Sequence, residues 1–322
     1  MGLITARRTI GLKIESTPYT IETLAATDYD LSAHDISYTP EIAEMARKLA
    51  RGDFSWDPSV HGKRSVTISF QVDVAYSGTA AIAPPYYDAL RCCGMAQTTH
   101  DTDKGVSLVP HSDYSNVPCT IEVVEKDEGT SAVQVVVMAR GCMGNPKFIM
   151  NTVGEPVKIE FEFKGALSSI EDRSFATMLV PTGFNTTMPE AVLGASITAF
   201  TESRTIDTVT IDLGNEVNLF SDPDTTEGYE GAHITGRNPT IEMDSDLDLI
   251  ANSGDYARWT DDTTGAFSMD VGDHITISAP AIQITTAYTG GDREGHVLSS
   301  LGAGLKRSNG NDEFEILQGS KT

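Results

Sequence analysis

Apolar residues in this chain recur mostly at every second position, while the i, i+3, i+4 spacing of an amphipathic helix is scarce. Val66-Thr67-Ile68-Ser69-Phe70-Gln71-Val72-Asp73-Val74 is apolar at each even number and polar at each odd one. A strand here turns one face to a core and the other to water. Val157-Lys158-Ile159-Glu160-Phe161-Glu162-Phe163-Lys164 repeats the pattern. Further runs of strand length lie at 9–15, 106–109, 119–124, 133–138, 206–213, 240–247, 275–278, 283–288 and 297–301. The pattern predicts a mainly β chain with little helix. Pro84 and Pro85 suit the entry to a helix over 86–93, closed by Gly94. A second short helix is expected at 246–252.

Between 165 and 191 the alternation dissolves into Ser, Thr, Pro and Asn, which reads as a linker. The expected organisation is a first domain over 1–166, a linker over 167–190 and a second domain over 191–322. Each domain is expected to be a β-sandwich or barrel-like fold with a short helix and a long hairpin loop. The halves echo one another. Gly62-Lys63-Arg64 precedes the strand at Val66, Gly236-Arg237 precedes the strand at Thr240, and each follows a long polar segment, 39–61 or 215–235. Aligning the two glycines directly sets Ile68 against Glu242. A duplication therefore needs a one-residue insertion, because a slip of one reverses the faces of a strand.

Hydrophobic residues at 39% and charged residues at 21% suit a folded chain, despite a net charge of -23. Forty-six acids against 23 Lys plus Arg argue against a protein that grips nucleic acid, since phosphate binding needs a basic face. The charge is uneven. From 207 to 273 there are 16 acids and two bases, whereas 41–64 is slightly basic, carrying Arg47, Lys48, Arg51, Lys63 and Arg64. Opposed signs on corresponding segments suit surfaces that meet. No apolar run approaches the roughly 18 residues of a membrane-spanning helix, and no apolar stretch follows Arg7 and Arg8, so neither membrane insertion nor a secretory leader is expected.

Chemistry is hard to find. The seven histidines are scattered without a metal-ligand spacing, and no phosphate loop, nucleophile elbow or dinucleotide fingerprint is present. Cys92, Cys93, Cys119 and Cys142 are irregularly spaced and expected to be buried, reduced thiols. Asp222-Pro223-Asp224-Thr225-Thr226-Glu227-Gly228 has oxygens spaced for calcium, but Pro223 and Thr226 break the helix-loop-helix pattern. No catalytic residue, metal or cofactor is predicted. A glycosidase using paired carboxylates would be the remaining enzymatic class, and it would lack an aromatic platform, since Trp56 and Trp259 are the only tryptophans.

The stretch from Tyr76-Ser77-Gly78-Thr79-Ala80-Ala81-Ile82-Ala83-Pro84-Pro85 through Leu90-Arg91-Cys92-Cys93-Gly94 resembles the tail tube, or major tail, proteins of long flexible-tailed bacteriophages. Members commonly show Gly-Ser-Gly-Thr-Ala-Gly-x-Ala-Pro-Pro followed by a short helix ending Leu-x-x-Cys-Gly. Tyr76 stands where they have glycine, and Ile82 where a small residue is frequent. Arg140-Gly141-Cys142, 154–165, Leu213-Gly214-Asn215-Glu216-Val217, Ile234-Thr235-Gly236-Arg237-Asn238-Pro239-Thr240 and Gly291-Asp292-Arg293-Glu294-Gly295 are similar to further landmarks, so the likeness spans nearly the whole chain.

The resemblance implies a virion structural protein, made in the host bacterial cytoplasm, whose stacked rings enclose a lumen. Its partners would be copies of itself, a tape measure protein, and tail terminator and tail tip proteins, with double-stranded DNA passing through without specific binding. Duplicated halves would make the ring a trimer; otherwise it is a hexamer. The alternative is a surface or secreted β-sandwich module that binds a carbohydrate or protein partner. Under the tube reading, Glu242, Asp244 and Asp246 face the lumen from one strand, with Asp73, Gln71, Glu160 and Glu162 forming the corresponding wall in the first half. Contacts between subunits or rings are expected from Arg47, Lys48, Arg51, Phe54, Trp56, Leu219, Phe220, Asp222 and Asp224.

Overall fold

The computed structural model describes residues 3, 7–50, 52, 54–100, 105–112, 117–126, 133–175, 182, 184–248, 254–288 and 290–319. Strands dominate them. In the first half these are β1 (Thr9–Ile14), β2 (Ala33–Arg47), β3 (Asp57–Asp73), β4 (Met95–Thr99), β5 (Gly105–Pro110), β6 (Cys119–Glu125), β7 (Val133–Met150) and β8 (Lys158–Ser174). The second half holds β9 (Ile197–Ala199), β10 (Glu202–Ser203), β11 (Ile206–Asp212), β12 (Asn215–Ser221), β13 (Tyr229–Arg237), β14 (Thr240–Asp246), β15 (Thr264–Val271), β16 (Ile275–Thr286), β17 (Gly291–Arg293), β18 (His296–Lys306) and β19 (Glu315–Gly319). Among the described residues the α-helices are α1 (Tyr86–Arg91) and α2 (Asp255–Thr260), with one 3-10 turn at Ala26–Asp28. None among the described residues is long and apolar enough to cross a membrane.

Alternation does its expected work in β3 and β8. Val66, Ile68, Phe70, Val72, Ile159, Phe161 and Phe163 are buried, and the polar residues between them reach water. Phe70 lies between Phe161 and Phe163, with ring centroids 5.1 and 5.8 Å away. Burying each such ring contributes about 1.5–3 kcal/mol. Helix α1 starts behind Pro85 and stops at Gly94, whose positive φ and N–H bond to Arg91 O close it as a glycine C-terminal cap does.

Two sets of six strands pair in the same order. In the first half the order is β1–β6–β7–β8–β3–β2, and in the second it is β9–β15–β16–β18–β14–β11, antiparallel throughout. Cross-strand partners match Thr67, paired with Lys164, to Thr240, paired with Gly304. Ile68 then corresponds to Ile241, so the offset is one residue shorter than the spacing of Gly62 and Gly236.

The two sets are joined edge to edge. Lys147–Met150 of β7 pairs with Val209–Asp212 of β11, which makes one antiparallel run β2–β3–β8–β7–β11–β14–β18–β16. On the other side of the core β19 pairs with β5, so a strand pair of the first half extends the sheet of the second. The main apolar core is one connected cluster running from Ile10 to Ile316, and Tyr29, Val124 and Val136 form a small second one. The four cysteines are buried and unbonded, Cys119 and Cys142 facing each other across β6 and β7.

Several expected boundaries move. Residues 167–174 of the expected linker are the second half of β8, paired with β7. They lacked alternation because both their faces are partly wet. The segments expected as hairpin loops are regular two-stranded ribbons, the outer part of β2–β3 and the whole of β12–β13. The second helix lies at Asp255–Thr260; Asp246 ends β14 instead, and 249–252 fall outside the described residues.

Candidate functional site

The long antiparallel run has one apolar face against the core and one polar face. Directly opposed residues in neighbouring strands share a face, and two lateral rows can be followed across the polar side. One row is Asp73, Lys158, Ile149, Thr210, Glu242, Gly302 and Thr286. The other is His34, Gln71, Glu160, Lys147, Asp212, Thr240, Gly304 and Gln283. Glu162 lies beside Ser69 and Asn145, one step further along β8. The expected wall residues Asp73, Gln71, Glu160, Glu162, Glu242 and Asp244 therefore fall on one continuous surface that crosses the middle of the chain. Asp246 takes the same side of β14.

The acids on this surface do different jobs. Glu242 and Glu162 are exposed. Asp244 is largely structural: its Oδ1 accepts the backbone N–H groups of Asp207 and Thr208 at 2.9 and 2.6 Å, and its Oδ2 meets Arg293 at 3.1 Å. Asp246 also pairs with Arg293. His34 Nε2 lies 3.3 Å from Asp73 Oδ1. Three lysines that the sequence reading passed over, Lys147, Lys158 and Lys164, are interleaved with the acids, and Lys164 lies 3.9 Å from Glu162. The alternation that exposes the acids was also the signal for these lysines. Around Glu242 the surface dips into a depression of about 410 Å³ lined by Thr208, Thr210, Thr240, Thr285, Thr286 and Ser300.

The two ribbons differ in what they touch. Lys63 still touches Ser221 and the Tyr229 ring, but toward its tip the β2–β3 ribbon is exposed, with Phe54 101% and Trp56 65% exposed and Lys48 Nζ 5.4 Å from the Trp56 ring. Arg47 is exposed as well, and Arg51 lies outside the described residues. The β12–β13 ribbon instead lies across the first half of its own chain. Arg140 of β7 donates to Glu227 at 2.8 Å, to Tyr19 O and Glu230 O at 2.8 Å, and to Tyr229 O at 3.0 Å. Glu227 also meets Arg64 at 3.4 Å, and the Arg64 N–H donates to Glu227 O. Burial would raise the Glu227 pKa, but hydrogen bonds from Thr226 and Arg140 hold it below the ordinary carboxylate range.

The contacts seen for the second ribbon are thus within the chain. Phe220 packs edge-on to His233 at 4.3 Å, Leu219 is half-buried, and Asp222 closes its own turn by accepting the Asp224 N–H. Asp224 is exposed. Arg140 stood out in the sequence only as a landmark of the resemblance and Glu227 only within a calcium-like loop; their pairing was not predicted, because a buried arginine on a strand has no periodic signature. Glycine makes room for them: Gly141 has φ +58, and a Cβ there would lie 2.9 Å from Gly231 Cα.

Two strand edges stay open. Among the described residues β2 pairs with β3 alone, and the end of β16 from Ile284 together with β17 pairs with β18 alone, β17 lying on β18 as the end of β7 lies on β8. These edges close the two ends of the run, and they correspond to the edges that meet at β7 and β11. No family model and no curated protein matches this chain.

Proposed function

We propose that this chain is a ring-forming structural subunit of a phage tail tube, whose copies close into a conduit through which DNA passes. One observation carries the reading. Inside the chain, two six-strand sets of identical order are joined through β7 and β11, and the corresponding edges, β2 at one end and the end of β16 with β17 at the other, have no second strand partner among the described residues. An open edge on a long sheet is a template for another strand. Placing β2 of one copy on the β16 edge of the next repeats the internal joint head to tail, and such a contact either closes into a ring or grows without limit. Treating the sets as two copies of one unit, three chains supply the six units that the resemblance implies.

The polar face becomes the lumen. Acids outnumber bases on it, and no cluster of arginines is present among its described residues, so it holds a polyanion weakly. The interleaved lysines temper the repulsion without making a basic track. A tape measure protein would occupy the same lumen before DNA, and rings stacked on one another would give the tube.

Sedimentation and negative-stain microscopy of the purified protein at rising concentration test the reading. Closed three-copy rings, or tubes built from them, are expected. A monomer that persists at high concentration overturns it.

A further inference from the structure

We infer that the tip of the β2–β3 ribbon of one copy docks, through Phe54 and Trp56, on the Pro280 corner of β16 in the next copy. The inference rests on the head-to-tail ring proposed above and gives its second contact.

Registers make the two ribbons counterparts. Ile42 pairs with Arg64 at the base of the first, and Asn215 pairs with Arg237 at the base of the second, each the same distance from the matched Thr67 and Thr240. Both ribbons span the same number of residues, so Phe54 takes the place of Glu227, and Trp56 that of Tyr229. The surfaces beneath correspond too. The β6–β7 pairing is interrupted between Cys119–Cys142 and Ile121–Ala139, and the β15–β16 pairing is interrupted in the same way between Gly265–Ile282 and Phe267–Ala279. Arg140 sits in the first interruption and Pro280 in the second.

The chemistry changes at both members together. Within the chain a buried carboxylate, Glu227, lies on a buried guanidinium, Arg140. Their counterparts are a fully exposed phenyl ring and an exposed proline. Cation meets anion at one joint, and apolar meets apolar at the other. A crossed arrangement would bury Arg140 or Glu227 without its partner, so the exchange also enforces which ribbon goes to which corner. Charge agrees: Arg47 and Lys48 flank the tip, while Asp261 and Asp262 are exposed beside the corner, with Asp262 Oδ1 3.4 Å from Gln283 Nε2.

The experiment is oxidative cross-linking of a Phe54→Cys, Pro280→Cys double variant, against each single variant, with ring formation scored by microscopy. Both positions are exposed and the native thiols are buried, so background is low. Covalent dimers and three-copy products are expected from the double variant alone. Rings without cross-links overturn the docking and leave the ring standing, whereas absence of rings from the unmodified protein overturns both. A second arm uses charge. Phe54→Glu is expected to raise the protein concentration needed for assembly at least tenfold, and adding Pro280→Arg, which recreates the internal pair, to restore it. Failure of that rescue with the fold intact by circular dichroism also overturns the docking.

Discussion

Single residues set the joint between the ribbon and the first half. Arg140 directs its guanidinium to Glu227 and three backbone carbonyls, so removing it takes the donor from Glu227 Oε2 and from those carbonyls and leaves the buried carboxylate only Thr226 and the outer Arg64. Breaking one side of such a pair costs about 3–5 kcal/mol. Arg140→Ala is therefore expected to lower unfolding free energy by that amount in urea titrations, and a loss below about 1 kcal/mol would mean the ribbon is held by its apolar contacts instead. Asp30 acts in the opposite sense. Burial, helped by Asp88 and Asp28, pushes its pKa up to about 6. Below about pH 4 the group is neutral both folded and unfolded. Between about pH 4 and 6 the unfolded chain ionises first and stability falls, and above about pH 6 the cost is complete. Asp30→Asn is expected to raise the melting temperature at pH 8 and leave it unchanged near pH 4; equal effects at both would assign the change to packing.

At the scale of elements, the proposed assembly rests on ribbons and strand edges. Two-stranded ribbons are marginal alone, and the β12–β13 ribbon is ordered because it lies on β7 and β8, while the outer β2–β3 ribbon extends strands that are already anchored below Arg64. Strand β2 is a long edge, and Pro40, Glu41 and Glu44 within it are devices that discourage unwanted pairing. Deleting 52–58 removes Phe54 and Trp56 but leaves β3 paired with β8 from Ser65 onward. That variant is expected to keep its circular dichroism spectrum and thermal transition and to stay monomeric in sedimentation. Tubes of normal length from it would refute a role for the ribbon tip.

At the scale of the whole molecule, the proposed conduit rests on the polar face. Reversing its charge should trap DNA by counterion release. Asp244 is a poor place to do so, since it holds the backbone of Asp207 and Thr208. Glu160, Glu162 and Glu242 share the face and hold no backbone group among the described residues. The triple change Glu160→Lys, Glu162→Lys and Glu242→Lys is expected to give assembled tails that eject DNA at least tenfold more slowly, with the delay relieved by raised salt. Unchanged ejection from tails of normal length would put this face on the outside.

Much of this was legible in the residues themselves. Alternation in 66–74, 157–164 and 240–247 determined the strands, which residues are core and which share a face, because those depend only on the two-residue repeat of extended backbone. Pro85 and Gly94 likewise bounded α1 by local geometry alone. Strands without alternation were harder: the outer part of β2 is exposed on both sides, β13 buries the adjacent Gly231 and Ala232 rather than every second residue, and the end of β8 reads as a linker. Which edge meets which was decided only by the fold. The β7–β11 joint, the β19–β5 pairing and the Arg140–Glu227 contact join residues far apart in the chain through backbone hydrogen bonds and one ion pair. Neither kind of contact imposes a repeat on the sequence, so nothing in the order of residues announces it.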